Sequence, residues 1–252
     1  MSLSSAELGI LWPAFIAGLL VTATHVPLGM QVLERGIVFI DLAIAQVAAL
    51  GVIVADYLGW SPTGIAVQVA ALSAALVCAA LLTWTDRRWP QVQEAIIGVV
   101  FVVASSAAIL VLAKSPHGSE NLKDLLSGQI LWVNPGRLMY DALFYGVILA
   151  LWFGFRERLG RIGFYVLFGC AVTISVQLVG LFLVFTTLVV PALATFYSRR
   201  LRLLKAYAVG VLGYAAGLLL SVAADLPSGA MIVCAIVTAG LLAAFIWRAP
   251  AL

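Results

Sequence analysis

Three polar side chains that could bind a metal ion lie inside long apolar stretches of the sequence: His25, Asp41 and Gln46. Ionisable groups in such stretches are costly to keep and are commonly functional. A carboxylate and an imidazole are suitable ligands for Zn²⁺ or Mn²⁺. The chain turns near residues 34–36, and a helical rise of about 1.5 Å per residue places His25 and Gln46 about 15 Å from that turn, with Asp41 about one turn nearer. The spacing predicts a site for a divalent metal ion between the first two apolar stretches.

Each of these three residues also has a purely structural interpretation. Asp41 has the alternative of pairing with a neighbouring helix or holding a water molecule. His25 has the alternative of filling the backbone gap opened by Pro27, because proline lacks the N–H that would pair with an earlier carbonyl. Gln46 has the alternative of a hydrogen bond between helices. The sequence leaves both kinds of role open for each residue.

Three further candidates lie nearer to the loops. Glu94 begins the fourth apolar stretch and is a candidate gate or interface residue, with a salt bridge to a nearby arginine as the structural alternative. His117 and Glu120 lie in a polar segment, 114–137, that we expect on the outer surface. They are candidate contacts for a metal ion or for a protein that delivers it, and a solvated loop is the alternative.

The elements that must position these residues are membrane helices. The chain has 252 residues, of which 64% are hydrophobic and only 10% charged, with a mean hydropathy of +1.14. This composition excludes a soluble globular domain and predicts an all-α, polytopic helix bundle in lipid, one transmembrane domain over residues 1–252. Nine transmembrane helices are expected, with eight as the alternative because only residues 177–180 separate two of the apolar stretches. The apolar stretches are 9–31, 37–58, 65–85, 95–113, 139–155, 162–177, 178–196, 206–223 and 230–247.

Basic residues sort strongly between the two sides of this bundle. Cytoplasmic loops of membrane proteins are enriched in Lys and Arg, so the side with most of the 14 basic residues is predicted to be cytoplasmic. The N-terminus is then outside, the C-terminus is inside, and the charges flank spans rather than form a nucleic-acid surface. One side holds Arg35, Arg87, Arg88, Arg156, Arg158, Arg161, Arg199, Arg200, Arg202, Lys205 and Arg248, and the other holds Lys114, Lys123 and Arg137.

No enzymatic motif accompanies these features in the sequence. The GxxxxGK[ST] phosphate loop is absent, so we do not expect the chain to hydrolyse ATP itself. HExxH and clusters of His and Cys are also absent, and we expect no permanently bound cofactor. A transport protein is the favoured class, with an intramembrane enzyme or a structural subunit as the rival.

Five segments, taken in order, resemble the permease family of zinc, manganese and iron ABC importers. The resemblance runs over almost the whole chain, and its most specific part is the pair QLVGLFLV and LVVPALAT. The segments are VPLG at 26–29 with ERGIVFID at 34–41, EAIIGV at 94–99, DLLSGQIL at 124–131, QLVGLFLV at 177–184 with LVVPALAT at 188–195, and DLPSG at 225–229.

The resemblance implies a type II ABC importer permease in a bacterial cytoplasmic (inner) membrane. Its implied partners are cytoplasmic ABC ATPase subunits, an extracytoplasmic metal-binding receptor and a second permease copy, most simply in a homodimer. The implied cargo is Zn²⁺, with Mn²⁺ or Fe²⁺ as alternatives, moved by alternating access. A cytoplasmic coupling helix that docks on the ATPase is implied at about 194–205, where the sequence is basic and amphipathic. Its candidate residues are Ala194, Thr195, Ser198, Arg199, Arg200, Arg202 and Lys205.

One position departs from the family pattern. Members of the family commonly carry Asp-x-x-x-His on the second span, where a spacing of four places both side chains on one helix face. Here Asp41 is followed by Ala45 at that spacing, and Gln46 lies about 140° away around a regular helix. His25, on the adjacent helix, is our candidate replacement. An ATP-independent secondary transporter or channel for a small cation is the alternative function.

Overall fold

The computed structural model describes residues 5–60, 64–112, 130–198 and 200–247. Within these ranges every regular element is helical, with nine α-helices and two short 3₁₀ turns. Eight of the nine helices are long and apolar enough to cross a membrane. The predicted all-α membrane helix bundle is therefore confirmed.

The helices follow one another with short connections through most of the chain. α5 and α6 form one helical run whose backbone is broken at Gly160. The Asn134 side chain caps α5 by accepting a hydrogen bond from the Gly136 N–H at 2.8 Å, so α5 begins four residues earlier than predicted. The helices are α1 Ser5–Arg35, α2 Ile40–Tyr57, α3 Ile65–Arg88, α4 Gln93–Leu112, α5 Pro135–Phe155, α6 Arg158–Val179, α7 Leu181–Ala194, α8 Arg202–Ala224 and α9 Ser228–Trp247.

α7 explains why the sequence allowed either eight or nine spans. Its 14 residues give a length of about 21 Å, which is less than the roughly 30 Å thickness of a bilayer core. The chain breaks between α6 and α7 at Gly180, whose φ of 86° lies in the left-handed region that glycine tolerates. The described chain thus has nine helices, of which α7 alone is too short to span.

The two helices that carry the candidate metal ligands lie in the middle of the bundle. α1 packs on the α5–α6 run, α7 and α8, whereas α2 packs on α3, α4 and the α5–α6 run. Their common core contains fully buried Leu28, Ile44, Phe168 and Tyr214. α4, α5 and α9 carry many exposed apolar side chains, as expected for helices that contact lipid.

The predicted cytoplasmic connections meet at one end of the bundle, which we call the basic end. Arg161, after the α5–α6 connection, pairs with Asp86 near the end of α3 at 3.3 Å. Arg202, at the start of α8, pairs with Glu34 near the end of α1 at 2.8 Å. The helix ends that the charge count assigned to one side of the membrane therefore lie together.

The predicted separate helix at 194–205 does not form in the described part of this segment. α7 ends at Ala194 and α8 begins at Arg202. The Thr195 hydroxyl donates to a carbonyl of the last turn of α7 at 2.8 Å, and Leu201 takes a left-handed backbone with φ of 54°. Both features turn the chain, so the segment is a tight connection followed by the first turn of α8.

Two predicted sets of residues lie outside the described ranges. Most of the outer segment 114–137 falls there, with His117 and Glu120. Arg199, a candidate contact for the ATPase, falls there as well.

Small residues allow the closest helix contacts, as is common in membrane proteins. On α8, Gly213 and Gly217 face Ile236 and Ile232 of α9. On α1, Gly29 faces the backbone of Leu188 in α7, where a β-carbon would overlap the Leu188 carbonyl oxygen. Because a backbone carbonyl cannot rotate away, α1 and α7 can approach this closely only at a glycine.

We expect Gly29→Ala to destabilise the protein, because overpacking against a rigid backbone costs about 1–3 kcal/mol. Gly98→Ala on α4 is the matched control, since open space surrounds that position and Ala is the better helix former. Thermal unfolding in detergent, followed by size-exclusion chromatography, measures the difference. An equal midpoint for the two variants would contradict this packing.

Candidate functional site

Asp41 lies closer to the basic end than the sequence suggested. α2 begins at Ile40, so Asp41 lies in its first turn, whereas the apolar stretch predicted to begin at residue 37 places it deeper in the helix. Its side chain is fully buried, and neither carboxylate oxygen has a hydrogen-bond partner in the described part of the chain. The positive end of the α2 dipole favours a negative charge at this position. Asp41 is thus a fully buried carboxyl group at the start of α2 with no side-chain partner among the described residues.

His25 is equally buried, about two-thirds of the way along α1, and its two ring nitrogens differ. Nδ1 lies 3.1 Å from the carbonyl oxygen of Val21 and 3.0 Å from the hydroxyl of Thr24. A carbonyl can only accept, so Nδ1 carries the proton in the neutral ring. Nε2 then has a free lone pair, and it has no partner among the described residues. Metal-binding histidines are typically oriented in this way by a backbone carbonyl.

Another residue occupies the backbone gap that was the structural alternative for His25. Pro27 leaves the carbonyl of Ala23 without its helical donor, because proline has no N–H. The Tyr207 hydroxyl of α8 donates to that carbonyl at 3.0 Å. The gap is therefore filled from α8, and His25 is not needed there. Nothing in the sequence pointed to Tyr207, because the hydrogen bond joins two residues that are 184 positions apart in the chain.

Gln46 is buried on α2 but lies on a different face from Asp41. α2 is a regular helix from Ile40 to Tyr57, so the angle of about 140° between positions five apart remains. Ala45, which occupies the position four residues after Asp41, is fully buried and offers no ligand. The structure therefore keeps Asp41 and Gln46 on different faces of a regular helix.

Glu94 lies beside the start of α2 and does not form the salt bridge that was the structural alternative for it. Its Oε1 accepts a hydrogen bond from the Phe39 N–H at 3.2 Å, directly before α2 begins. Its Oε2 is buried without a partner in the described chain. No ion pair joins Glu94 to Arg87 or Arg88 within the described residues. Glu94 also lines a cavity of about 540 Å³ at the basic end, together with Gln93, Arg35, Asp86 and Arg161.

The candidate ligands form a series rather than a closed metal centre. In the described residues no group of three or more His, Cys, Asp or Glu side chains is placed to hold a metal ion. His25 lies ten residues from the last residue of α1, about 15 Å from the basic end, whereas Asp41 lies within the first turn there.

In the α7–α8 connection some of the predicted ATPase-contact residues are exposed, whereas others are buried or bonded to neighbouring side chains. Thr195 is fully buried, and Lys205 donates to the Ser198 hydroxyl at 2.8 Å. Arg202 is held by Glu34, which the sequence analysis did not select. Ala194 is half-buried, whereas Arg200 is exposed. The exposed apolar residues there were also missed, because a search for charge does not find them; they are Phe196, Tyr197, Leu201 and Leu204.

Known proteins with the same fold and sequence pattern support a transport role. The sequence pattern of the ABC 3 transport family matches residues 7–164 and 154–247. An uncharacterized membrane protein of Synechocystis sp. is 26% identical over 242 residues, covering 87% of this chain and 84% of its own.

Two solved structures share the fold over nearly the whole chain. PsaBC from Streptococcus pneumoniae, in complex with Fab, superposes with a TM-score of 0.74 at 18% identity, covering 96% of this chain and 91% of that one. An inward-facing ABC transporter assigned to the metal-chelate type gives a TM-score of 0.69 at 15% identity, covering 99% and 91%. The family match covers nearly all the described helices, and the chain therefore belongs to the ABC 3 transport family.

Proposed function

We propose that this chain is the membrane-spanning permease subunit of an ABC importer for a divalent metal ion. Zn²⁺ is the favoured cargo, with Mn²⁺ or Fe²⁺ as alternatives. The observation that carries the proposal is the buried, unpartnered set of metal-binding atoms on α1 and α2: His25 Nε2 and both oxygens of Asp41. Family membership supports the transport role, and these atoms support a cation as the cargo.

The energetics of burial explain why such atoms point to a cargo. A buried polar atom without a partner loses its hydrogen bonds to water and gains nothing in return, at a cost of about 1–3 kcal/mol. An isolated carboxylate in lipid costs more. A passing divalent cation supplies the missing partner, and weak binding at successive positions lets the ion leave again.

The proposed direction runs towards the basic end, which we place in the cytoplasm with the N-terminus outside. The excess of Arg and Lys at this end supports that orientation. An ion leaving His25 would next meet Asp41 and then Glu94 beside the cavity at the basic end. The permease would expose this path alternately to each side of the membrane.

Energy for the cycle would come from partner ATPase subunits docked at the basic end. The exposed patch Phe196, Tyr197, Arg200 and Leu201 projects there, fixed to α1 by the Arg202–Glu34 pair. Aromatic and Arg side chains are typical anchors of protein interfaces. A metal-binding receptor on the other side and a second permease copy complete the proposed assembly. The rival, an ATP-independent transporter or channel for a small cation, needs no such docked subunit.

Replacing the unpartnered groups should slow metal uptake in whole cells. We expect Asp41→Asn and His25→Ala each to lower Zn²⁺ or Mn²⁺ uptake about tenfold or more, the usual scale for damage around a metal ion. Asp56→Asn, an exposed carboxylate at the other end of α2, is the matched control and should transport normally. Unchanged uptake in both Asp41→Asn and His25→Ala, at equal protein level, would remove the basis of the proposal.

Removing an aromatic side chain from this patch should weaken binding of the ATPase subunit. We expect Tyr197→Ala to reduce co-purification of the ATPase subunit about tenfold, the effect of losing about 1.4 kcal/mol at an interface. Tyr57→Ala, which removes an exposed tyrosine from the opposite end, should retain the ATPase. If no ATPase accompanies even the unmodified permease, the rival transporter without ATPase is favoured.

A further inference from the structure

A second cavity lies at the opposite end of the bundle from Asp41, where α5 begins and α6 ends. It has a volume of about 250 Å³ and is lined in part by Asn134, Arg137, Asp141 and Gln177. At about 30 Å³ for each water molecule, this space holds a cation together with several of its waters.

Asp141 is the residue that gives this cavity its chemistry. It is only 7% exposed, and its Oδ2 has no partner among the described residues. Its Oδ1 lies 3.8 Å from Nε of Arg137, one turn earlier, which is too far for a hydrogen bond. The Arg137 side chain is itself half exposed to solvent. Arg137 therefore neutralises the Asp141 carboxylate only loosely. A more strongly bound cation could replace Arg137 as the partner of Asp141.

Gln177 supplies the second polar group. Its Nε2 is buried and has no partner in the described chain. An amide nitrogen and oxygen exchange places by a half-turn of the side chain, so Gln177 can present either a donor or an acceptor to the cavity. Asn134 is already engaged as the cap of α5. The available ligands are thus the Asp141 carboxylate and the Gln177 amide oxygen, a set that favours hard divalent cations.

Polar groups continue from this cavity into the bundle. Tyr145 lies one turn after Asp141 on the same face of α5, and its hydroxyl lies 2.6 Å from that of Ser175 on α6. Both residues are fully buried. The Tyr214 hydroxyl on α8 makes a similar contact with Thr187 on α7, at 3.0 Å. The cavity is therefore the outer end of a polar series and not an isolated surface pit.

We propose that Asp141 and Gln177 form an outer binding site for a partly hydrated divalent cation, which displaces Arg137 from the carboxylate as it binds. Arg137 thereby sets the affinity of the site, because the incoming cation must compete with a charge already present. The site goes beyond the function proposed above, since it is distinct from Asp41 and its occupancy does not require an ATPase.

Equilibrium binding of Zn²⁺ and of Mn²⁺ to the full-length permease in nanodiscs, without affinity tag, tests this site. We expect two classes of bound metal, one weakened about tenfold or more by Asp141→Asn and the other by Asp41→Asn. Asp225→Asn, an exposed carboxylate at the same end as Asp141, should change neither class. Arg137→Gln should tighten the Asp141-dependent class several-fold, a gain that misfolding cannot produce.

The outcomes separate this inference from the function proposed above. If Asp141→Asn and Arg137→Gln leave binding as it is while Asp41→Asn removes a class, the outer site is wrong and the permease assignment stands. If the Asp141-dependent class persists while Asp41→Asn changes neither binding nor uptake, the outer site stands and the proposed pathway fails. Loss of affinity in Arg137→Gln would show that Arg137 supports the site instead of competing for it, and would overturn the proposal.

Discussion

The structure depends on one constraint: a polar group buried in a membrane helix must find its partner inside the protein, because lipid offers none. Threonine hydroxyls find a partner within their own helix, by donating to the carbonyl four residues earlier. Thr22, Thr83, Thr173 and Thr187 all do so, at 2.7 Å. The Ala23 carbonyl, which Pro27 leaves without a helical donor, instead accepts a hydrogen bond from Tyr207 of another helix. Against this background the buried atoms of His25, Asp41, Asp141 and Gln177 stand out, since each finds no partner within the described chain. Under the proposed function a passing cation supplies the partner of His25 and Asp41.

The same constraint explains the shape of the bundle. Helices that bury polar groups lie in the middle and approach closely, as α1 and α7 do at Gly29. Helices that are apolar on their outer faces lie at the edge, as α4 and α9 do. α7 is too short to span alone, but packing against α1 and α9 covers it with protein. Gly180 allows this arrangement because the chain must leave α6 through a backbone conformation that favours glycine.

Much of this could be predicted from the sequence, because hydropathy and basic charge are local signals. They gave the membrane bundle and most of the helix positions, and they identified Asp41 and His25 as polar groups in apolar surroundings. What they missed depends on contacts between distant positions. The start of α2 at Ile40 moved Asp41 towards the basic end, and Glu94 bonds to the Phe39 N–H rather than to a nearby arginine. The tight α7–α8 connection and the role of Tyr207 likewise follow from packing, which periodicity does not encode.

The proposed function requires that the free nitrogen of His25 contacts the transported ion. X-ray absorption at the zinc edge of the permease loaded with Zn²⁺, without affinity tag, tests it directly. The chain has two histidines, so His117→Ala separates the second one. We expect imidazole scattering around the metal that persists in His117→Ala and disappears in His25→Ala. A metal surrounded only by oxygen, or an imidazole signal that follows His117, would contradict it.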